Sequence, residues 1–347
     1  MINLDHHNQT PLSDTVREKM VSFLGKELTS PHASQLKSVF LDSVGAAETD
    51  QLFLRESYNQ VIHDVLMSAY FDIALRTGKN HFIAFKTEDA AILLTLKKLE
   101  EAGCFVHLIS TVDELKKYIG PKTALVTLSW ADGLTGALHD VEKIAKICKE
   151  KRVPLHVDAS YVLGKIYFSL KELDISYLTF SGKYIHGPEN SGCLIVKEDI
   201  EFAPLAKEGA SSSLLAGFSE AVKKSSLYLD QMAMESQRLR GLLEEKILSG
   251  IEGSKALFQN TFRLPNVTAI HFPHVFHEAL LFRLQKRDLM ATAGGGNTQP
   301  LFRTHDFSSI SFCLSRYTTE EEVLKAAEII IEEALFLQEI SKGVFHV

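Results

Sequence analysis

Two residues have the type and setting for chemistry on a carbonyl. Asp158 ends the run Leu155-His156-Val157-Asp158, and Lys183 lies in TFSGKYIHGPENSG (179–192), after the run Ile175-Ser176-Tyr177-Leu178-Thr179-Phe180. A lysine amine condenses with an aldehyde to form an imine when its pKa is depressed, and a buried carboxylate stabilises a protonated ring nitrogen. Each residue also has a plain reading. Most lysines sit in exposed loops, and an aspartate at this point can cap the segment that follows it. Placement favours the chemical reading, because ligands of a parallel α/β sheet gather at the carboxyl ends of its strands.

The elements that must position this pair alternate. Apolar runs at His81–Phe85, Phe105–Ile109, Ala124–Leu128 and Val153–Asp158 read as strands, and Gly192–Val196 follows the Gly187-Pro188 turn. Between them, 89–103 has helical character with a glycine stop. Val141, Ile144, Ala145 and Cys148 form an i, i+3, i+4, i+7 stripe. Nearly continuous apolar strands are expected where helices cover both faces of a parallel sheet. The pattern predicts an α/β fold, a large doubly wound domain with a mainly parallel sheet. A long helix is expected past Ala216, with Leu239, Leu242 and Leu243 on one face. Strands at Val267–Phe272 and Ser309–Leu314 and a last helix through Val323, Ala327, Ile330 and Ala334 predict a small C-terminal α+β domain. The expected division is 15–240 for the large domain and 1–14 with 241–347 for the small one.

Length and composition narrow the function classes. The chain has 347 residues, enough for two domains and a sizeable core. Net charge is −7 without a long basic run, which argues against nucleic acid as a partner. No stretch has the apolar length of a membrane span. MINLDHHNQTPLSD has neither a basic region nor an apolar core, so no secretory leader is expected. Cys104, Cys148, Cys193 and Cys313 are far apart and lack CxxC spacing, which suits a cytoplasmic protein without a zinc site. Neither GxGxxG nor GxxxxGK[ST] occurs, so a nucleotide-binding reading has little support.

Four blocks carry a resemblance. LDHHNQTPL (4–12) resembles LDNNATTPL. LTGALHDVEKIAKICKEKRVPLHVDASYVLGKI (134–166) resembles a block ending in HxDAxQxxGK. TFSGKYIHGPENSGCLIV (179–196) resembles SxSxHKxxGPKGxGxLYV, and SSISFCLSRYTTEEEV (308–323) resembles SSIRFSLGRFTTEEEI. The blocks, in order and at similar spacing, are those of the cysteine desulfurases, a branch of the class V aminotransferases and fold type I pyridoxal phosphate enzymes. The resemblance implies Lys183 as Schiff-base lysine and Asp158 as the pyridine-nitrogen partner. It places Tyr161 at the ring-oxygen glutamine, Asp89 at the stacking histidine after Glu88, and Tyr58 at the threonine of the phosphate loop. Ser181 joins the cofactor-binding candidates. A homodimer, an amino-acid-like substrate and a partner protein in sulfur or iron–sulfur metabolism are implied as well.

The same blocks show departures. Gly182 and Phe180 are read at the histidine before the lysine and at the serine preceding it. Glu56 replaces the phosphate-loop glycine, with Arg55 or Ser57 as possible compensation. The carboxylate-clamping arginine matches Ser311, since Arg316 matches a different arginine. Asn297 stands at the nucleophilic cysteine. The dimer-crossing phosphate segment matches 207–213, whose Ser211, Ser212 and Ser213 are alternative donors. Two readings follow. One is a pyridoxal phosphate enzyme of altered specificity, built on Lys183 and Asp158. The other is a non-catalytic homologue that keeps the fold as a binding or scaffold protein. Cysteine desulfuration is expected to be absent under both.

Overall fold

The computed structural model describes residues 1–8, 10–27, 29–203, 210–295 and 298–344; the side chains of 30, 31, 302, 304 and 342–344 are outside the description. The chain forms two compact units, one of residues 11–130 and 139–227, the other of 1–10, 131–138 and 228–347. The α/β class expected from the sequence is the class observed.

The first unit is built on a seven-stranded sheet. In spatial order its strands are Gln51–Arg55, Gly192–Val196, Tyr177–Ser181, Leu155–Asp158, Thr123–Ser129, His81–Phe85 and Phe105–Ile109. The last five run parallel, while Gly192–Val196 is antiparallel to both of its neighbours. The parallel centre requires crossover helices. On one face, Val61, Ile62, Val65 and Leu66 of helix Tyr58–Ser68 and Ile92, Leu96 and Leu99 of helix Ala90–Glu101 pack on Phe82, Leu125 and Leu194. Helix Val141–Lys151 buries the expected stripe, and its N-cap Asp140 accepts the Lys143 amide at 3.0 Å. Full burial of each such aliphatic or aromatic side chain contributes roughly 1.5–3 kcal/mol. One strand differs from expectation. Phe105–Ile109 forms the sheet edge, with Phe105 65% exposed, because it has a neighbour on one side only.

In the second unit, Lys255–Ala256, Val267–His271 and Ser309–Cys313 form an antiparallel sheet, and Ile2–Asn3 pairs with Leu289–Met290. Its core joins Leu239, Leu243 and Ile247 with Ile270, Phe312, Leu280, Val323 and Ile330. The long helix expected past Ala216 is two helices, Ser212–Leu227 and Leu229–Gly250, broken at Tyr228. The first belongs to the sheet unit and the second to this one, so the expected cut at 240 falls inside a helix. Among the described residues, no helix is long and apolar enough to cross a membrane.

Candidate functional site

The carboxyl ends of the parallel strands in the first unit hold a buried polar cluster in two layers. The lower layer is borne by strands. His156 is fully buried and bridges Thr127 Oγ1 (2.7 Å) and Thr179 Oγ1 (2.9 Å). Thr179 Oγ1 in turn donates to Asp158 Oδ2 at 2.8 Å. The Ser160 amide donates to Asp158 Oδ1 at 2.9 Å, and the Ser160 hydroxyl to Oδ2 at 3.2 Å. Parallel pairing sets Asp158 opposite Ser129 and Thr179, so strand register alone assembles this layer. Burial pushes Asp158 up to about 6, against its hydrogen bonds from Ser160 and Thr179. Burial also depresses His156 to about 3. Beside them, Glu88 accepts the Ser129 amide (2.8 Å) and hydroxyl (2.7 Å), and burial raises it to about 8.

The upper layer comes from four separate segments. Asp89 is the N-cap of helix Ala90–Glu101, but its side chain accepts the Tyr161 hydroxyl at 2.8 Å instead of capping the helix. The Tyr184 hydroxyl lies 3.3 Å from that of Tyr161, with ring centroids 4.6 Å apart. Since the Tyr161 proton goes to Asp89, Tyr184 is the donor to Tyr161. Tyr58 opens helix Tyr58–Ser68 and feels Asp158, Asp89 and Tyr184. Burial first, then Asp158 and Asp89 for Tyr58 and Asp89 for Tyr161, hold both well above the usual phenol range, so both stay protonated.

The structure thus places Asp158, Asp89, Tyr161 and Tyr58 in one region. Ser181 adjoins them: its amide donates to Ser160 Oγ at 3.0 Å, and its hydroxyl accepts the Lys183 amide at 3.2 Å. Lys183, the Schiff-base residue implied by the resemblance, lies at the edge of this cluster. Its ammonium pairs with Glu189 at 3.5 Å and lies 5.8 Å from the Tyr184 ring centroid. The hydrogen-bond partners of Asp158 are Ser160 and Thr179. Sequence reasoning missed Tyr184. The signal was its distance from the turn: in HKxxGP the lysine stands three residues before the glycine, and three residues before Gly187 is Tyr184.

Other expectations shift as well. Arg55 is not available as phosphate compensation, since its Nε donates to buried Asp64 at 3.1 Å. The Glu56 carboxylate accepts the Ser211 amide at 2.8 Å, and Ser213 Oγ donates to the Met20 carbonyl. Residues 207–209 and Asn297 lie outside the described residues. In the other unit, Ser311 Oγ is buried and donates to the Leu134 carbonyl, while Arg316 packs over Tyr228 and Tyr317. A cavity of about 530 Å³ between helices 14–22, 30–43 and 212–227 contains none of the six candidates.

The residues present do not fit pyridoxal phosphate. A carboxylate, Glu56, stands where the resemblance puts the phosphate-loop glycine, and a carboxylate opposes an anion. The Tyr161 and Tyr184 rings, 2% and 8% exposed with centroids 4.6 Å apart, fill the space beside Asp89. Asp89 is tied to Tyr161 and offers no aromatic face.

Comparison with known proteins gives the following. Residues 56–213 match the family "Aminotransferase class-V". A cysteine desulfurase of Nostoc sp. (strain PCC 7120) is 30% identical, covering 83% of this chain and 78% of its own length. A cysteine desulfurase IscS of Methylococcus capsulatus is 27% identical, with 98% and 94% covered. Among solved structures, a NifS-like protein superposes with a TM-score of 0.87 at 22% identity, covering 96% of this chain and 99% of its own. A NifS-like protein from Rickettsia africae gives 0.82 at 21%, with the same coverage.

Proposed function

The chain belongs to the class V aminotransferase family, on its cysteine desulfurase branch, and from that premise we propose that it keeps the fold of a pyridoxal phosphate-dependent family without the sulfur-transfer chemistry, acting as a binding or scaffold protein. The observation that carries this reading is the state of the thiols. All four cysteines are buried. Burial pushes Cys148 up to about 12 and raises Cys104 and Cys193. Persulfide formation needs an accessible thiolate, and a buried neutral thiol does not supply one. Ser311 adds to the case, because a hydroxyl committed to the Leu134 carbonyl cannot form the bidentate contact an arginine makes with a substrate carboxylate. The same reading makes the protein a cytoplasmic homodimer with a protein partner in sulfur or iron–sulfur metabolism, as its family membership suggests.

The test is sulfide release and protein persulfide formation with L-cysteine and added pyridoxal phosphate. The expected result is neither. Catalytic sulfide release, or a stoichiometric persulfide on any cysteine, overturns the reading.

A second reading is a pyridoxal phosphate enzyme acting through Lys183 on another amino-acid-like substrate. It draws on one observation: the Lys183 side chain is only 12% exposed and adjoins the cluster in sequence. Absorbance changes on adding a panel of amino acids to cofactor-treated protein would support it.

A further inference from the structure

We infer that Tyr184 occupies the imine-forming position of this fold, and that Tyr184, Tyr161 and Asp89 fill the place of the cofactor ring, so that Lys183 is not an imine residue. The inference deepens the reading of the chain as a family member without sulfur-transfer chemistry, and it rests on that reading.

The first support is register. Laid without gaps on SxSxHKxxGPKGxG, the stretch from Thr179 to Gly192 places Thr179 and Ser181 on the two serines and Gly187-Pro188 and Gly192 on the turn. The histidine then falls on Lys183 and the lysine on Tyr184. The alternative, with Lys183 on the lysine, needs an extra residue before Gly187 and puts the bulky Phe180 on a serine.

The second support is direction. Lys183–Ile185 is a single 3-10 turn, in which successive side chains point about 120° apart. Tyr184 is the one of the two whose side chain hydrogen-bonds into the cluster, at Tyr161, while the Lys183 ammonium lies outside that chain, 5.8 Å from the Tyr184 ring centroid. Lys183 points to Glu189, whose own side chain is 72% exposed. The Tyr184 backbone is held as well, since Lys165 Nζ donates to its carbonyl at 3.3 Å.

The third support is occupancy. The ring-oxygen position, Tyr161, and the stacking position, Asp89, are joined to Tyr184 in one hydroxyl–hydroxyl–carboxylate chain. Tyr161 is 2% and Tyr184 8% exposed. The side chains that would line a cofactor ring bury one another instead.

The experiment is reductive labelling. Wild-type protein, Lys183→Ala and the double variant Tyr184→Lys/Tyr161→Gln are incubated with pyridoxal phosphate. A lysine amine condenses with the aldehyde, losing water, and borohydride reduces the C=N bond to a secondary amine that survives digestion. Peptide mapping then locates the pyridoxyl group. In wild-type protein Lys183 should take no more label than the exposed lysines, and Lys183→Ala should not change the total. In the folded double variant, position 184 should exceed the exposed lysines by about tenfold, because a held amine reacts at a raised effective concentration. Stoichiometric label on wild-type Lys183 overturns the inference, and that measurement needs no variant to fold. So does a double variant with wild-type melting behaviour and no preference for position 184. Label on Lys183 without sulfide release would sink this inference alone, whereas sulfide release would sink the reading beneath it.

Discussion

The two layers of the carboxyl-end cluster are made by different means. In the lower layer His156, Thr127, Thr179, Asp158 and Ser129 all sit on paired strands, so backbone register holds them, and Asp158 is 1% exposed with both oxygens engaged. In the upper layer Tyr58, Asp89, Tyr161 and Tyr184 come from four segments, and side-chain contacts alone join them. His156 and Asp158, on a paired strand, match the HxD of the block they resemble, whereas Tyr58, Asp89 and Tyr161 stand where that resemblance has other residue types. A buried polar group on a strand cannot be replaced without orphaning its neighbours. A lid of side chains can be rebuilt as long as it stays packed and hydrogen-bonded.

Four predictions test that contrast, the largest effect first. His156→Ala removes the bridge between two buried threonines and leaves a void, and should cost about 3–5 kcal/mol in denaturant melts. The folded-state pKa of His156 is depressed from 6.5 to about 3. Its contribution is present above pH 6.5 and lost as pH falls toward 3, so the variant should also flatten acid unfolding. A smaller loss than for any upper-layer change would break the comparison.

Glu88→Gln should change a slope. The carboxyl of Glu88 is raised from 4.5 to about 8. Its contribution is full below about pH 4.5 and is lost as pH rises toward 8, at no more than about 1.4 kcal/mol per pH unit. Wild-type stability should therefore decline over that range, and the variant, which cannot ionise, should decline less. Parallel pH curves would contradict the buried, proton-holding state.

Tyr161→Phe takes the phenol proton from Asp89 and the acceptor from Tyr184. It should cost about 1–2 kcal/mol by thermal melting, less than His156→Ala. Lys183→Ala should change stability by about 0.5 kcal/mol or less, since its partner Glu189 is mostly in water. A loss as large as that of Tyr161→Phe would show that Lys183 belongs to the cluster after all.

Much of this was legible in the sequence. Apolar runs and an i, i+3, i+4, i+7 stripe revealed the strands and helices, because burial against a sheet or a helix demands those periods. Asp158 was legible because a carboxylate at the end of an apolar strand has few structural uses. Tyr184 was not, because residue type drew attention to the lysine beside it. The edge position of Phe105–Ile109 was also hidden, since five apolar residues read the same with one neighbouring strand as with two.

The sequence by itself determined the α/β class, the family and the presence of a polar group at the end of strand Leu155–Asp158. These rest on local periodicity and on motif spacing, both of which are one-dimensional. Only the tertiary structure decided which of two adjacent residues enters the site. Tyr184 meets Tyr161, 23 residues away in the chain, and Tyr161 in turn donates to Asp89, contacts that sequence order does not show, while Lys183 pairs with Glu189.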